Sequence, residues 1–247
     1  METQDSQDKD DSKVEKHPKQ DFQVERLAFF SDAVFAIAIT LLAVEFKIPR
    51  ITDDTTFDDA LKQLLDLKYL FFATLLSFLL ISNYWRNHHI LFKYIHNYNN
   101  KLITVNMLVL LPIIFFPFTT AFVAESLNSL FENGKVYLDV YFLGFRLFLL
   151  NHFFASLMCY IFYWYALVKH KELSYTMPAK EKLNFLINTW FVIIIFAAIF
   201  IAAFFHSLFF IDLIVILGFL VRAIIKRRLK KRLMVEDKIT KSLIINH

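Results

Sequence analysis

Six runs of apolar residues alternate along the chain with short polar connections. A helix needs ~20 predominantly apolar residues to cross the hydrocarbon core of a bilayer. The runs from Leu27 to Phe46, Leu67 to Trp85, Leu102 to Phe122, Val136 to Val168, Leu183 to Phe205 and Leu208 to Ile225 approach or exceed that length. The pattern predicts an all-α integral membrane protein with six transmembrane helices per subunit. At 1.5 Å per residue the fourth run spans about 50 Å, so one of its ends must protrude into water. Only His206 and Ser207 separate the last two runs, which predicts a tight helical hairpin.

Composition strengthens this picture. Hydrophobic residues make up 57% of the 247-residue chain, 30 residues are phenylalanine and only three are glycine. Such a balance is too apolar for a soluble domain of this length. Residues 1–21 hold almost nothing that can be buried and are expected to form a disordered cytoplasmic tail. Residues 22–232 form the transmembrane domain, and 233–247 a second cytoplasmic tail. Cys159 stands alone, which excludes an internal disulfide framework and argues against a thiolate metal site.

Charge sets the expected orientation, because Lys and Arg are retained on the cytoplasmic side. Arg86, Lys93 and Lys101 follow the second run, Lys169, Lys171, Lys180 and Lys182 follow the fourth, and "KRRLKKRL" begins at Lys226. The connection after the first run, "ITDDTTFDDALKQLLDLK", is rich in acids instead. Both termini are therefore expected on the cytoplasmic side. The run at Lys226 directly follows a span, so it reads as an anchor on anionic lipid, not as a nucleic-acid patch.

No nucleophile elbow, phosphate-cradling glycine loop, HExxH or CxxC pattern occurs, so no enzyme and no cofactor is expected. No re-entrant filter loop of the TVGYG kind is present either. Any conduction must then use side chains, and the first span is where polar and apolar groups are arranged most unevenly. At 100° per residue from Ile37, Phe30 falls at about +20°, Ala33 at about −40°, Leu41 at about +40° and Val44 at about −20°, with Thr40 on the shoulder at about −60°. Ser31 and Asp32 fall off this stripe, at about +120° and about −140°. By geometry alone the stripe fits lipid or core packing as well as a pore. The Thr40 hydroxyl fits either a bond to a carbonyl one turn back or a polar lining. A carboxylate inside a span persists only when paired or facing water. Arg26 points to another side of the helix from Asp32, so each needs a partner elsewhere, and Arg86, His88 and His89 are the basic candidates. Asp32 is then either a structural or gating lock or a direct ion or proton site. Glu45 lies near the stripe's outer edge, as an outer-mouth carboxylate or an interfacial one. Arg146, His152 and Asp212 are read as packing groups, with a carbonyl or Asp139 as the partner.

The order Arg26, Phe30-Ser31-Asp32, "FAIAITLL" and "EFKIP" resembles the R-x-x-x-F-S-D signature of the transmembrane protein 175 potassium channels. "YWRNHHILF" is similar to that family's W-x-x-H-x-x-L-F, which falls on Trp85, His88, Leu91 and Phe92. "NMLVLLPIIFFPFTT" from Asn106 resembles its third span, with Pro112 and Pro117 as expected kinks. The resemblance implies a potassium-selective channel of one-unit, bacterial type, assembled as a homotetramer in the cell membrane around potassium ions. It places the pore constriction on Ile37, Leu41 and Val44, a selectivity layer on Thr40, and a clamp on Arg26, Phe30, Ser31, Asp32, Trp85 and His88. Other members carry Leu or Ile where this chain has the smaller Val44. The rival class is a proton-coupled secondary transporter that uses Asp32 and His88 as a relay.

Overall fold

The computed structural model describes residues 18–47, 50–206 and 208–245, with the backbone alone at 18–21, 133, 208 and 229–245. Eight α-helices account for most of these residues: α1 (Pro18–Val44), α2 (Phe57–Asp66), α3 (Lys68–Phe92), α4 (Asn100–Ile114), α5 (Phe116–Asn133), α6 (Leu138–Tyr163), α7 (Ala179–Ala202) and α8 (Leu208–Ile245). No strand occurs among the described residues, as the all-α reading requires; the exception to helical pairing is one isolated bridge, Ile95 with Ser174. Among the described residues, five stretches are helical and long and apolar enough to cross a membrane. The sixth predicted run is the first half of α8. The tail expected over residues 1–21 lies outside the described residues up to residue 17, and Pro18 to Asp21 already belong to α1.

Each departure from uniform spans has a local cause. The third run breaks into α4 and α5 at Phe115, between the two prolines. Pro117 has no N–H to donate to the Ile113 carbonyl, and the Pro112 carbonyl accepts instead from Phe115 N–H at 3.2 Å and from Asn151 Nδ2 of α6 at 3.0 Å. The long fourth run ends in a π-helical segment, Trp164–Lys169, closed by His170 N–H onto the Tyr165 carbonyl. The turn between α7 and α8 passes through His206 at φ 50°; Ser207 lies outside the described residues. The acidic connection holds α2, which the apolar pattern alone did not predict. Thr56 and Asp59 form a reciprocal capping box at its start.

Helix α6 stands in the middle. On one side it packs against α3, α4 and α5, with α1 laid over α3, α4 and α5; on the other it packs against α7, and α8 packs on α7. The main core joins Phe35 and Leu42 of α1, Ile81 and Leu91 of α3, Ile113 of α4 and Phe162 of α6. A second cluster around Phe142, Leu149, Ile199 and Ile211 ties α7 and α8 to α6. Gly144 lets α5 and α6 approach closely. A Cβ there would stand 2.7 Å from Ser126 Oγ and 3.3 Å from the Phe122 carbonyl oxygen.

The connections after α3 and α6 meet at one end of the bundle. His96 N–H donates to the Leu173 carbonyl, Tyr175 N–H donates to the Tyr94 carbonyl at 2.7 Å, and the Tyr94 hydroxyl donates to Glu181 at 2.6 Å. Arg26 lines a cleft with Tyr98 and Ile103, so α1 begins at this same end. The two basic connections therefore share a side, as the charge pattern predicts. Glu45, Asp66 and Glu125 line a cleft at the opposite end of α1.

Candidate pore helix and its anchorage

Helix α1 buries one face and leaves the other uncovered. Phe35 and Leu42 are each 1% exposed, whereas Ile37 is 58% exposed, Leu41 42% and Val44 71%. Val24, Ser31, Ala38, Phe35 and Leu42 recur at helical spacing on the buried face. The predicted stripe of Phe30, Ala33, Ile37, Leu41 and Val44, with Thr40 beside it, lies wholly on the exposed one. Nothing among the described residues covers that apolar surface. The Thr40 hydroxyl donates to the Ile37 carbonyl at 2.9 Å, one turn back.

Polar groups fasten the buried face. Ser31 Oγ donates to the Leu27 carbonyl at 2.9 Å and accepts from Asn106 Nδ2 of α4 at 2.9 Å. The Asn106 carbonyl oxygen in turn accepts from His88 Nε2 of α3 at 2.8 Å, which sets the proton of that ring on Nε2. All three side chains are buried, at 0% for Ser31 and Asn106 and 2% for His88. The imidazole is walled by Phe35, Phe92 and Phe162, with ring centroids at 5.5, 4.7 and 5.6 Å. Ser31 Oγ, both polar atoms of the Asn106 amide and His88 Nε2 are all engaged, so the network stabilises one packing of α1, α3 and α4.

Asp32 is held separately. The Trp85 indole N–H donates to its Oδ1 at 2.8 Å. Its partner is therefore none of the expected Arg86, His88 and His89, although Trp85 is itself a motif residue. Arg86 donates to Asn83 at 2.6 Å, and His89 packs on Trp85 at 5.7 Å. The structure ties Ser31 to His88 through Asn106 and leaves Asp32 outside that chain, so the relay expected of a transporter has no direct link between its two groups. Arg26 stands apart from both, its guanidinium 6.0 Å from the Phe22 ring centre. Asn106 is the residue whose role the sequence did not disclose. Its signal was an amide placed in the middle of an apolar helix.

The other intramembrane polar groups are only partly satisfied, since Arg146 Nε and His152 Nε2 are buried without a hydrogen-bond partner. Arg146 donates to the Ala203 carbonyl at 3.0 Å and to His206 Nε2 at 2.8 Å, while Asp139 stands 3.7 Å from His206. His152 is enclosed by Phe116, Phe148 and Phe196, and the Tyr84 hydroxyl donates to its carbonyl at 3.1 Å. Asp212 is exposed on α8. Among the described residues no group of His, Cys, Asp and Glu could hold a metal ion.

Comparison with known proteins falls on the same helices. The model of the family described as endosomal/lysosomal potassium channel TMEM175 matches residues 26–117, from Arg26 of α1 to the start of α5. A potassium channel of Streptomyces collinus is 38% identical over 105 residues, 42% of this chain and 49% of that protein. Another from Chamaesiphon minutus is 38% identical over 116 residues, 47% of this chain and 56% of that protein. The chain thus spans about half the length of the curated relatives it matches. Structural likeness extends further. The crystal structure of a lysosomal potassium-selective channel TMEM175 homologue from Chamaesiphon minutus has a TM-score of 0.56 at 26% identity, covering 84% of this chain and 98% of that one. A threonine-to-alanine variant of the potassium channel MtTMEM175 shares the fold, with a TM-score of 0.60 at 19% identity over 87% of this chain and 99% of that one. The resemblance read from Arg26, Phe30, Ser31 and Asp32 holds, with the sequence similarity concentrated on the first three spans.

Proposed function

We propose that this chain, similar to the transmembrane protein 175 potassium channels, forms a potassium-selective channel in the plasma membrane of the cell, with four copies placing α1 around a central pore. The observation that carries this reading is the uncovered stripe of α1. It lies in the segment where similarity to those channels is concentrated, on a helix otherwise fastened firmly to α3 and α4. Positive connections stay inside, so both ends of the chain face the cytoplasm.

In this assembly Ile37, Leu41 and Val44 form apolar rings that oppose hydrated ions and gate by dewetting. Potassium gives up its water more readily than sodium, so a narrow apolar ring penalises sodium more. Thr40 supplies the compensating oxygen. Because its hydroxyl proton is already engaged by the Ile37 carbonyl, the oxygen lone pairs remain free to accept a cation. Four copies give four such oxygens at one depth. Asn106, Ser31 and His88, with Asp32 on Trp85, hold the inner half of α1 in register while the stripe stays clear of polar anchors. Glu45, with Asp66 and Glu125, gives the outer end a carboxylate-lined cleft that draws cations. The activity is permeation, with no catalytic step and no cofactor.

The test is flux through the full-length protein in liposomes, potassium against sodium, with and without a proton gradient. Potassium movement down its own gradient, in excess of sodium, supports the channel. No flux of either ion overturns it, and potassium movement only against an imposed proton gradient favours the transporter.

A further inference from the structure

The pore reading makes no use of the groove between α7 and α8, on the flank of the bundle away from α1. Its volume is about 560 Å³, within the range of ligand pockets. Ile187, Phe191, Ile194, Ala198, Leu217 and Val221 give it apolar walls. At Gly218 of α8 a Cβ would run into the end of the Ile195 side chain of α7. From Leu186 to Ala198 the groove runs about 18 Å along α7, slightly more than one leaflet of a ~30 Å hydrocarbon core. A trough one leaflet deep suits an acyl chain from one side of the membrane.

One end of the trough is cationic. Arg222 Nη2 donates to Asn188 Oδ1 at 3.0 Å, its guanidinium lies 4.8 Å from the Phe191 ring centre, and its Nε is buried without a hydrogen-bond partner. Lys226 follows one turn later. Burial, then the charges of Arg222 and Arg86, lower its ammonium below the ordinary lysine pKa. Arg222 and Lys226 thus stand one turn apart on α8, and among the described residues no carboxylate forms an ion pair with either of them. Trp190 lines the groove near this end and packs on Tyr160 at 4.9 Å. That pairing is typical of the headgroup level of a membrane.

We infer that the α7–α8 groove binds an anionic phospholipid, with one acyl chain in the trough and the phosphate on Arg222 and Lys226. Charge complementarity names the occupant: a negative headgroup relieves the crowding of like charges, which a zwitterionic lipid or a second apolar protein face does not. Helix α8 packs on α7, so a lipid lodged in this seam reinforces the attachment of the last helix.

Quenching of Trp190 by bromine-labelled acyl chains tests this in the full-length protein. Phosphatidylcholine vesicles carry a minor fraction of either brominated phosphatidylglycerol or brominated phosphatidylcholine, and Trp190→Phe defines the share of the signal from Trp190. The expected result is several-fold stronger quenching by the glycerol lipid, a preference abolished in the double variant Arg222→Gln, Lys226→Gln and retained in Arg222→Lys. Ile194→Trp, which fills the trough but keeps both charges, should lose the preference measured as lipid retained on the purified protein by native mass spectrometry. Equal quenching by both lipids, or a preference that survives removal of both charges, overturns the inference. Absence of any Trp190-dependent quenching overturns it too, since the groove is then covered by protein. Elution of each variant at the wild-type volume in size-exclusion chromatography establishes that it is folded.

Discussion

At the residue scale, Thr40 and Asn106 carry the sharpest expectations. Thr40→Ala removes one oxygen per subunit from the proposed pore and leaves the helix intact. The potassium-to-sodium permeability ratio, measured from reversal potentials in planar bilayers, should fall several-fold while potassium conductance persists. An unchanged ratio would take Thr40 out of the filter. Asn106→Ala acts elsewhere, stripping the partner from both Ser31 and His88 inside a dry core. Leaving buried polar groups unpaired costs about 1–3 kcal/mol each, so the thermal midpoint should drop without a change in selectivity. Asp32→Asn and Trp85→Phe both weaken one bond between α1 and α3. Both should impair assembly or open probability more than selectivity in single-channel recordings, and a change in selectivity alone would count against an anchoring role. These residues sit within 75 positions of each other in sequence. The motif residues were legible as a group, but their pairing was not, because an indole and an amide give no sign in sequence of which neighbour they will meet.

At the element scale, the two faces of α1 predict a periodic pattern of reactivity. The native Cys159 is buried, so the background for a cysteine scan from Phe35 to Val44 should be low. Thiol reagents in water should modify and block current at Ile37, Thr40, Leu41 and Val44. They should leave Phe35, Ala38 and Leu42 untouched, because those positions are sealed in the main core. Ala36 and Ile39 line the groove between α1 and α3 instead, so block there would mean that the axis lies on a different side of the helix. Between α5 and α6, Gly144→Val forces a side chain against Ser126 and the α5 backbone. Overpacking of this kind costs about 1–3 kcal/mol, and its mark is a lower melting temperature in detergent. The basic-end connections are stapled by Tyr94 on Glu181, and that carboxylate raises the tyrosine pKa through their hydrogen bond. A raised phenol pKa means the staple is fully present below the ordinary tyrosine value and is lost only as pH climbs through the raised one. Of the elements, the spans were plain from apolar length. The amphipathic α2 was not, since its signal was the brief T-x-x-D cap at Thr56 and not a hydrophobic run.

At the scale of the whole molecule, an apolar stripe left uncovered on a well-anchored helix is the reason to expect assembly. Light scattering on the purified protein in mild detergent should return a protein mass four times the 29.3 kDa chain, and a stable monomer would remove the central pore. Cysteines at Val44 should cross-link between copies, since four α1 helices around an axis bring the same residue together. The sequence by itself determined the helical nature of the spans, the end of the bundle that gathers the positive charge, and which residues of α1 share one stripe. All of these follow from local quantities: apolar length, the 3.6-residue period, and charge in short connections. Only the tertiary structure decided that Ser31 reaches His88 through Asn106, that Asp32 rests on Trp85, and that Arg222 meets Asn188 at the α7–α8 seam. Those pairings join residues 18 to 75 positions apart, and the geometry that selects one partner among several of similar chemistry exists only once the helices have packed.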